Sequence, residues 1–456
     1  MRFFVNAREM GMRFRHAMSA LMPFGAASAL AILPVGASTA AHATTVTGHM
    51  TPAVSSPLAY KFVGTASSLS AGSADMFTCQ EPGAALNCYT PQELAKAYDI
   101  PTKLTGAGQT IVIIDAFGDP TLTQDLGVED STFGLPAANL SVISPNGQPT
   151  FDPTNADEVN WSGEIALDVE SAHAVAPAAK IDLVVAKSDQ DADILNALKY
   201  VVAHRLGSVL SQSFGEAESC EDPSIAKADH VLFAAAAAQG MTVFASSGDD
   251  GAAQPTCDGS SFIKSAGLPA ADPLVTGVGG TSLTASQPDG TYQSETAWND
   301  EFGSSGGGYS TIYARPAYQN GFVHSSGRGV PDISYSADVN NGLLIAWSQG
   351  DPANVGDIFL FGGTSAGSPQ WAAVIALANQ AGHHRLGFIN GDLYSLGHGA
   401  RYSAVFHDIT TGNNTVSLTD ANGNAVNIAG FPAAKGWDPV TGLGTPDVAQ
   451  LLQYLH

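Results

Sequence analysis

The chain has 456 residues, of which 44% are hydrophobic and 13% are charged, so it can bury a large core and is not expected to be disordered. Aspartate and glutamate outnumber lysine and arginine by 42 to 18, giving a formal net charge of −24, which argues against nucleic acid or an anionic membrane as a partner. A low charge density with this acidic balance suits a protein that works in acid, where most carboxylates are protonated.

Residues 1–43 have the features of a secretory signal peptide. Arginines precede an apolar stretch, and Ala41 and Ala43 satisfy the small-residue rule for signal cleavage. An uncleaved membrane anchor is the alternative, but proline and glycine interrupt the apolar run. We therefore expect a secreted, extracellular protein that is not associated with a membrane once the signal is removed.

Residues 44–80 are rich in Ser, Ala, Thr and Gly and show weak periodicity. This composition predicts a low-complexity linker or a short, loosely packed N-terminal extension. The folded domain is expected over residues 81–456.

Four cysteines in an exported chain can form disulfides, and three pairings are possible. Local spacing favours Cys79 with Cys88 and Cys220 with Cys257. Because no CxxC pair occurs, we interpret the cysteines as structural rather than as zinc ligands.

Strand-like and helix-like stretches alternate through the first half of this domain. QTIVIIDA, AKIDLVVA, GSVLSQSF and MTVFASS are typical of buried strands, whereas DADILNALKYVVAHRL and IAKADHVLFAAAAAQG are typical of helices. The alternation predicts an α/β fold, with a parallel β-sheet and helices on both faces. In such sheets, functional sites gather at the carboxyl ends of the strands.

The stretch FGGTSAGSPQW contains the candidate nucleophile Ser365, followed by a proline and an apolar run that predict a helix. A second GGTS ends at Ser282, but no helix is predicted after it, so Ser365 is preferred. In the sheet and the GTS turn the chain resembles subtilisin-like hydrolases, whose histidine base lies in an HGT motif. None of the twelve histidines is followed by Gly-Thr, so a different base must activate the hydroxyl.

The stretch SGEIALDVESAHAVAPAAKI predicts a helix that leads into a strand. Glu164 and Asp168 lie one turn apart on one face of it, whereas His173 points to the opposite side. Two like carboxylates repel each other unless they share a proton, so we interpret Glu164 as the general base and Asp168 as its support. The alternative is that Glu164 and Asp168 simply lie on a solvent-exposed face of the helix. At about pH 3 to 5 glutamate can act as a base and histidine cannot, so this assignment predicts activity in acid.

The stretch TVFASSGDDG ends a predicted strand with a polar turn. A protonated Asp249 could donate a hydrogen bond to an oxyanion there, in place of the side-chain amide that subtilisin uses. The alternative is that Asp249 and Asp250 only terminate the turn.

Eight motifs follow one another in the order GEIALDVE, FASSGDDGA, LPAADPLVTGVGGTSL, ETAWND, SSGGGYS, GRGVPDISYSAD, GGTSAGSPQWAAV and GWDPVTGLGTPD. Over residues 89–456 this set resembles the sedolisin family of serine-carboxyl peptidases, acid proteases related in fold to subtilisins. The resemblance implies hydrolysis of protein or peptide substrates, with Glu164, Asp168 and Ser365 as the triad and Asp249 as the oxyanion residue. It leaves open whether cleavage is internal or removes tripeptides. We expect a monomer.

The resemblance also implies a calcium site near the C-terminus, in FHDITTGNN and KGWDPVTGLG. Asp408 and Asp438 would supply carboxylates, and Ile409, Ala434 and Gly436 would supply backbone carbonyls, an oxygen set suited to Ca²⁺. Ala434 stands where relatives usually have glycine, but only its carbonyl is needed. Two ordinary surface turns are the alternative reading of these stretches.

Other features depart from the family pattern or stay open. Sedolisins typically carry a long folded pro-segment, which does not fit the short stretch before YTPQEL, and this leaves zymogen control open. Asp115 ends the first predicted strand, with an auxiliary or a purely structural role. SSGGGYS and residues 211–213 are expected to line the substrate cleft. A catalytically silent secreted binding protein on the same scaffold, or a histidine-dependent hydrolase active near neutral pH, are the rival interpretations.

Overall fold

The computed structural model describes residues 53–55, 58–68, 77–80, 84 and 86–455, which all belong to the unit Thr45–His456. The predicted signal peptide, residues 1–43, lies outside the described residues. Among the helices that are described, none is both long and apolar enough to cross a membrane.

The described residues form nine α-helices and 22 strands, and helices and strands largely alternate from α1 to β8. The helices are α1 (Pro91–Ala97), α2 (Leu122–Phe133), α3 (Ala156–Val175), α4 (Asp191–His204), α5 (Pro223–Ala238), α6 (Thr364–Gly382), α7 (Asn390–His398), α8 (Tyr402–Val405) and α9 (Val448–Leu451). The strands are β1 (Tyr60–Thr65), β2 (Asn87–Tyr89), β3 (Thr110–Ala116), β4 (Asn139–Ile143), β5 (Lys180–Ala186), β6 (Val209–Gln212), β7 (Glu216–Ala217), β8 (Thr242–Ser246), β9 (Ala253–Pro255), β10 (Phe262–Lys264), β11 (Gly267–Leu268), β12 (Thr276–Ala285), β13 (Tyr292–Ala297), β14 (Gly308–Ala314), β15 (Gly327–Val330), β16 (Ile333–Ser336), β17 (Asn341–Ala346), β18 (Asp357–Phe361), β19 (Phe406–His407), β20 (Val416–Thr419), β21 (Ala425–Ile428) and β22 (Thr445–Pro446).

The central sheet has the strand order β13-β12-β8-β6-β3-β5-β4, and β16 also pairs with β12. All of these pairs are parallel except β12 with β13, which is antiparallel. The four stretches predicted as strands form β3, β5, β6 and β8, and the two predicted helices form α4 and α5. The α/β class expected from the alternation is therefore confirmed.

The central strand β3 shows why the sheet carries helices on both faces. Ile111 and Ile113 belong to a buried cluster that includes apolar residues of α3 and α6. Val112 and Ile114 belong to a second cluster with residues of α4 and α5. Successive side chains of a strand point to opposite faces, so an unbroken apolar run fits a strand that is buried on both sides.

The described part of residues 44–80 differs from a loosely packed linker. Strand β1 pairs antiparallel with β18, in a four-stranded sheet of order β1-β18-β17-β2. The Ala59 carbonyl accepts a hydrogen bond from the Gly362 amide at 3.1 Å. Since β18 leads directly into α6, the N-terminal stretch supports the strand that precedes Ser365.

Both disulfides join the cysteines that local spacing favours. Cys79 bonds to Cys88, and Cys220 bonds to Cys257. The first bond ties the segment before α1 to strand β2, where Cys88 is fully buried.

Helix α3 begins at a sequence-encoded cap and crosses the core. The Asn155 side chain accepts a hydrogen bond from the Asp157 amide at 3.1 Å, which satisfies one of the free amides at the helix start. The helix then runs for 20 residues with almost every position buried from Trp161 onward. A helix buried on all sides carries its polar groups into the interior, so Glu164 and Asp168 are both inaccessible to solvent.

A buried ion pair fixes the turns at the far end of the sheet. Arg328 and Asp332 are both completely buried, with Nη2 and Oδ2 2.6 Å apart. The guanidinium also donates to the backbone carbonyls of Ala270 at 3.2 Å and Val275 at 3.0 Å. Because the guanidinium donors all have acceptors, the positive charge of Arg328 can be accommodated in the core.

We predict that Asp332→Ala lowers the free energy of unfolding by about 3–5 kcal/mol, because the guanidinium stays buried without its counter-charge. Lys103→Ala is the control, since Lys103 is exposed and surface substitutions of this kind usually change the free energy of unfolding by about 0.5 kcal/mol or less. Denaturant titration at fixed pH measures both. Equal losses for the two variants would contradict the importance of the buried pair.

Candidate active site

Ser365 lies in the first turn of α6, directly after strand β18 and two glycines. Gly363 has a φ of 92°, in the region that favours glycine. A Cβ atom there would lie 2.5 Å from Oδ2 of Asp249. The GGTS turn therefore needs glycine at this position for both its backbone conformation and its close approach to the Asp249 carboxyl.

Ser213 contacts Ser365 through two groups. The Ser365 hydroxyl is 3.5 Å from the Ser213 carbonyl, and the Ser213 hydroxyl is 3.4 Å from the Ser365 carbonyl. The second contact is available because Pro369, four residues into the helix, has no amide hydrogen to bond the Ser365 carbonyl. The proline after the serine thus leaves a backbone acceptor facing the end of strand β6.

The acidic residues of α3 meet a third carboxyl from the sheet. Asp115, Glu164 and Asp168 are all fully buried, and Asp115 lies on the face of β3 that carries Ile111 and Ile113 toward α3. Burial raises the pKa of Asp168, and the charges of Asp115 and Glu164 raise it further. The pKa of Asp115 is raised by burial and by Glu164. Three carboxyls in one buried cluster can share protons more easily than they can all ionise.

The Asp168 carboxyl lies near both Glu164 and Ser213, since each of them affects its pKa, although neither of its oxygens has a hydrogen-bond partner among the described residues. Ser213 in turn contacts Ser365 as described above. Helices α3 and α6 pack in the same buried cluster, so the residues predicted to form the triad lie on one face of the sheet, with Ser213 near both Asp168 and Ser365.

Asp249 is held against the N-terminus of α6. Its Oδ1 accepts hydrogen bonds of 2.8 Å from both the amide and the hydroxyl of Thr364, and its Oδ2 faces Gly363. Burial raises the pKa of Asp249 to about 7, although the Thr364 hydrogen bonds oppose this shift. In acid the group is therefore protonated and can donate from its second oxygen.

Ser213, Asp249 and Ser365 line a cleft of about 410 Å³. Its lining comes from the segments before and after the ends of β6 and β8, from α6 and from the N-terminal segment: Ser55, Ser213, Phe214, Gly215, Ser246, Ser247, Gly248, Asp249, Asp250, Gln254, Pro255, Gly267, Leu268, Thr364 and Ser365. Ser213 lines the cleft as expected. SSGGGYS stays a prediction as a cleft wall; its Gly306 packs against the Ser247 carbonyl with no room for a Cβ, and Ser247 itself lines the cleft.

The other sequence candidates lie away from the serine. The ring of His173 contacts Asp130 and the Pro136 carbonyl, each at 2.9 Å, on the opposite side of α3 as expected. Ser282 lies within strand β12, where its hydroxyl contacts the Asp338 carboxyl. Neither residue can serve the site around Ser365.

The predicted calcium ligands are brought to two adjoining turns. The Gly436 amide donates to Asp408 Oδ1 at 2.9 Å, and the Ala434 amide donates to Asp438 Oδ2 at 3.0 Å. The Tyr402 hydroxyl donates to Asp408 at 3.0 Å and also lies near Asp438. The described residues contain no group of three or more His, Cys, Asp or Glu side chains that could hold a metal, so any site here would consist of two carboxylates and backbone carbonyls.

Sequence reasoning missed the position of Ser213 near both Asp168 and Ser365, and it left the role of Asp115 open between auxiliary and structural. Ser213 was expected only as a cleft wall, since no local motif shows that its hydroxyl turns toward α3. Asp115 could have been assigned from strand alternation, because it has the same parity as Ile111 and Ile113 along β3.

A serine at the start of the helix that follows a parallel sheet, with acidic residues in place of a histidine, defines a carboxyl-dependent variant of the subtilisin-like fold. No family model matches the chain. Kumamolisin from Bacillus sp. (strain MN-32) is 38% identical over 395 residues, 83% of this chain and 66% of that protein. Tripeptidyl-peptidase sed4 from Aspergillus fumigatus is 27% identical over 426 residues, 80% of this chain and 66% of that protein.

A solved structure gives the same classification. Pseudomonas sedolisin, a serine-carboxyl proteinase complexed with two molecules of pseudo-iodotyrostatin, matches with a TM-score of 0.69 at 31% identity, over 81% of this chain and 98% of that one. The protein belongs to the sedolisin family of serine-carboxyl peptidases. It spans about 66% of the length of the curated relatives named above.

The buried carboxyls determine how stability depends on pH. Desolvation raises the pKa of eight of them above the ordinary range: about 6 for Asp191 and Asp250, about 7 for Asp119, Asp229, Asp249 and Asp300, and about 9 for Glu216 and Glu221. Between an unfolded pKa of about 4 and these folded values, the folded state holds protons that the unfolded state has released. The free energy of unfolding therefore falls as the pH rises from about 4 to about 9.

We predict that the melting temperature is higher at pH 4 than at pH 8, by on the order of 10 °C. Calorimetry on the Ser365→Ala variant, in which self-digestion is not expected, measures it. The isosteric Asp249→Asn change in that background removes one titrating group and should flatten the profile between pH 4 and 7. A melting temperature that rises from pH 4 to pH 8 would contradict the assignment.

Proposed function

We propose that the protein is a secreted serine-carboxyl endopeptidase that hydrolyses peptide bonds of proteins in acid. The observation that carries this proposal is that Ser213 contacts Ser365 and also lies near Asp168, in a buried cluster of carboxyl groups that includes Glu164. Family membership supports the same chemistry. The two disulfides support an oxidising compartment, as does the predicted signal peptide.

In the proposed mechanism the Ser365 hydroxyl attacks the carbonyl carbon of the scissile bond. Glu164 removes the hydroxyl proton and then donates it to the leaving amine. Asp168 orients Glu164 and shares its proton. Burial of the pair supports these roles, because two adjacent carboxyls in a dry site hold one proton between them over a wide pH range.

The developing oxyanion is bound by protonated Asp249 and by the amides at the start of α6. The first amides of a helix have no partners within the helix and attract negative charge. Asp249 is held at this helix end by the hydrogen bonds that it accepts from the amide and the hydroxyl of Thr364. The donor is lost when Asp249 ionises, which limits activity to pH values below its pKa of about 7.

Removal of tripeptides is the second candidate activity. Its support is the similarity to a relative named tripeptidyl-peptidase. Peptides with a free and with an acetylated N-terminus separate the two activities, because an endopeptidase cleaves both and a tripeptidyl-peptidase requires the free amine.

We predict that Ser365→Ala lowers kcat/KM for a denatured protein substrate at about pH 4 by at least 1,000-fold, because the nucleophile is lost. Ser282→Ala, the serine of the second GGTS, is the matched control and should keep the parental rate. Cleavage is followed by release of soluble peptides.

Residual activity of Ser365→Ala within tenfold of the parent would refute this nucleophile.

Variants of Asp249 test the oxyanion role in the same assay. Asp249→Ala should lower kcat by about 100- to 1,000-fold. Asp249→Asn keeps a hydrogen-bond donor at every pH and should extend activity toward neutral pH. A parent protein with no activity on any peptide in acid would favour the silent binding scaffold, and optimal activity near neutral pH would favour a histidine-dependent enzyme.

We also propose that the turns around Asp408 and Asp438 bind calcium. The 434–436 backbone donates amide hydrogen bonds to both carboxylates, which brings Asp408 and Asp438 to the same short segment, and Gly436 has a φ of 79°, a turn conformation that favours glycine. The donor set of carboxylate and carbonyl oxygens, including that of Ile409, fits a hard cation. The ion would stabilise these turns and take no part in catalysis.

We predict that calcium at a hundredfold excess over its Kd raises the melting temperature of the Ser365→Ala protein by on the order of 5 °C. Asp438→Asn in that background should lose most of the calcium-dependent increment. Asp420→Asn, in the exposed turn between β20 and β21, is the control and should keep it. A melting temperature that is unchanged by calcium or by chelator would refute the site.

A further inference from the structure

A second pocket, of about 940 Å³, opens at the end of the sheet opposite to the catalytic cleft. Its lining includes Thr110, the first residue of β3, and Ser208, which directly precedes β6. The catalytic cleft is lined instead by Ser213, which directly follows β6. The two sites therefore lie at opposite ends of the same part of the sheet.

Helix α6 spans the distance between the two sites. Ser365 lies in its first turn, and Asn379, which lines the second pocket, lies in its last turn. Asn379 follows Ser365 by 14 residues, which corresponds to about 21 Å along a helix axis. A ligand in the second pocket therefore leaves the catalytic cleft free.

The lining of the second pocket is basic, whereas the chain as a whole is acidic. His383, His384 and Arg385 directly follow α6 and are exposed, and no Asp or Glu is among the described residues that line the pocket. Acids outnumber Lys and Arg in the chain by 42 to 18, so this local group departs from the overall charge. Such a group of basic side chains attracts anions.

The end of α6 accounts for only part of this arrangement. The last carbonyls of a helix attract basic side chains, and Nδ1 of His384 lies 2.9 Å from the Gly382 carbonyl. Arg385, by contrast, takes part in none of the ion pairs found among the described residues. Its guanidinium is therefore available to a ligand in the pocket.

Two amide side chains of the lining use their oxygens within the protein. Oδ1 of Asn379 accepts a hydrogen bond from the Leu386 amide at 2.9 Å. Oε1 of Gln380 accepts hydrogen bonds from the amides of Thr105 at 2.9 Å and Gly106 at 2.8 Å. Because a backbone amide can only donate, these contacts fix which end of each side chain is the oxygen. The nitrogens are left as donors, which suits an anion and not a cation.

Asn379 gives a second indication of a ligand, independent of charge. Its side chain is 1% exposed, and its Nδ2 atom has no hydrogen-bond partner among the described residues. A buried donor without a partner is costly and uncommon in folded proteins. Since Asn379 lines the second pocket, a ligand that accepts this hydrogen bond would remove the cost.

We propose that the second pocket binds the sulfate or phosphate group of an anionic ligand. Arg385 presents a planar fork of donors that matches such oxyanions, the two preceding histidines add positive charge, and the Asn379 amide donates from the buried side. The volume lies within the range of about 300–1,000 Å³ that is typical of small-molecule sites, which leaves room for an organic group that carries the anion. The site is separate from the peptidase function proposed above and does not depend on it.

The charge of the second pocket depends on pH through its histidines. Beside the pocket, the flanking segments add Lys103, Arg205 and the pair of Lys180 with Asp182, whose Nζ and Oδ1 atoms are 2.7 Å apart. Lysine and arginine ordinarily stay charged between about pH 4 and about pH 8, whereas histidine loses its charge in this range. We therefore expect anions to bind more tightly in acid.

The test is isothermal titration calorimetry on the full-length Ser365→Ala protein with sodium sulfate, at an ionic strength held constant with sodium chloride. At about pH 4 we expect one saturable site, with an affinity about tenfold or more above that at about pH 8. Sulfate does not titrate in this range, so the difference reports on the protein. Sodium phosphate should compete with sulfate for the site.

Glucose 6-sulfate distinguishes the two sources of the anion. Tighter binding than that of inorganic sulfate would assign the site to an ester on a larger ligand, and equal or weaker binding would assign it to the free anion. Glucose is the uncharged control and should not bind.

Arg385→Gln should weaken sulfate binding about tenfold or more, because the charge-assisted hydrogen bonds of the guanidinium are lost. Arg385 is exposed, so the variant is expected to fold. Arg401→Gln is the matched control, since Arg401 is also exposed but does not line the pocket, and it should bind sulfate as the parent does.

The double variant His383→Asn, His384→Asn should bind sulfate with similar affinity at both pH values. Asparagine is chosen because His383 has a φ of 56°, a conformation that asparagine tolerates. His324→Asn changes an exposed histidine outside the pocket and should keep the parental difference between the two pH values.

The absence of saturable sulfate binding at about pH 4, or equal affinities in the parent and Arg385→Gln, would refute the anion site. Competition between sulfate and an uncharged peptide substrate in the active parent would place the anion in the catalytic cleft and would also refute it. Binding is measured on a protein without the nucleophile, so these failures leave the peptidase proposal intact. Loss of peptide hydrolysis in the parent would refute that proposal and not the anion site.

Discussion

Ser213, which contacts Ser365 and lies near the Asp168 carboxyl, joins the two halves of the candidate site. Asp168 comes from α3 above one face of the sheet, and Ser213 follows strand β6 at its carboxyl end. Ser365 comes from α6, which packs beside α3 on the same face. Strands β6 and β3 are neighbours in the parallel sheet, so Asp115 at the end of β3 lies close to Ser213. The elements α3, α6, β3 and β6 are distant in sequence but together supply the side chains of this one cluster.

Burial of these carboxyls is the physical basis of the acid dependence that we propose. An ionised carboxylate without a counter-charge is too costly in a dry interior, so it remains protonated instead. The surface behaves in the opposite way: hydrogen bonds from neighbouring hydroxyls and amides lower the pKa of exposed aspartates, to about 2 for Asp258, and also for Asp420. In moderate acid the buried carboxyls without a counter-charge are therefore neutral while the surface keeps negative charge, which favours solubility.

The parts of the fold that could be predicted from the sequence are those set by local periodicity. The apolar run of β3 and the spacing of Glu164 and Asp168 depend only on strand and helix geometry, and the structure has the expected strand and helix at both places. The choice of Ser365 over Ser282 also depended on a local feature, the helix that follows only the first of them. The four cysteines pair as their spacing suggests.

The remaining features depend on contacts between distant segments. The role of Ser213 follows from the missing amide hydrogen of Pro369 and from the direction of a side chain across the sheet, and neither is visible in the SQSFG stretch. SSGGGYS has the composition of a flexible cleft wall, but its glycines serve close packing behind the 247–250 turn. Strand β1 lies in a region of weak periodicity because most of its side chains are half exposed, so pairing with β18 through the backbone decides its structure.

The N-terminal segment shows how a low-complexity stretch can have a specific position. Its contacts at residues 53–55 are mainly backbone hydrogen bonds, which any residue except proline can donate, so composition contains little trace of them. Small side chains suit a strand that must fit between Gly215 and the Asp189–Gln190 turn. Covalent attachment compensates for the weak side-chain contacts, because a tethered segment needs little intrinsic affinity to fill a cleft. The position of this segment therefore depends on the folded chain that carries it as well as on its own backbone hydrogen bonds.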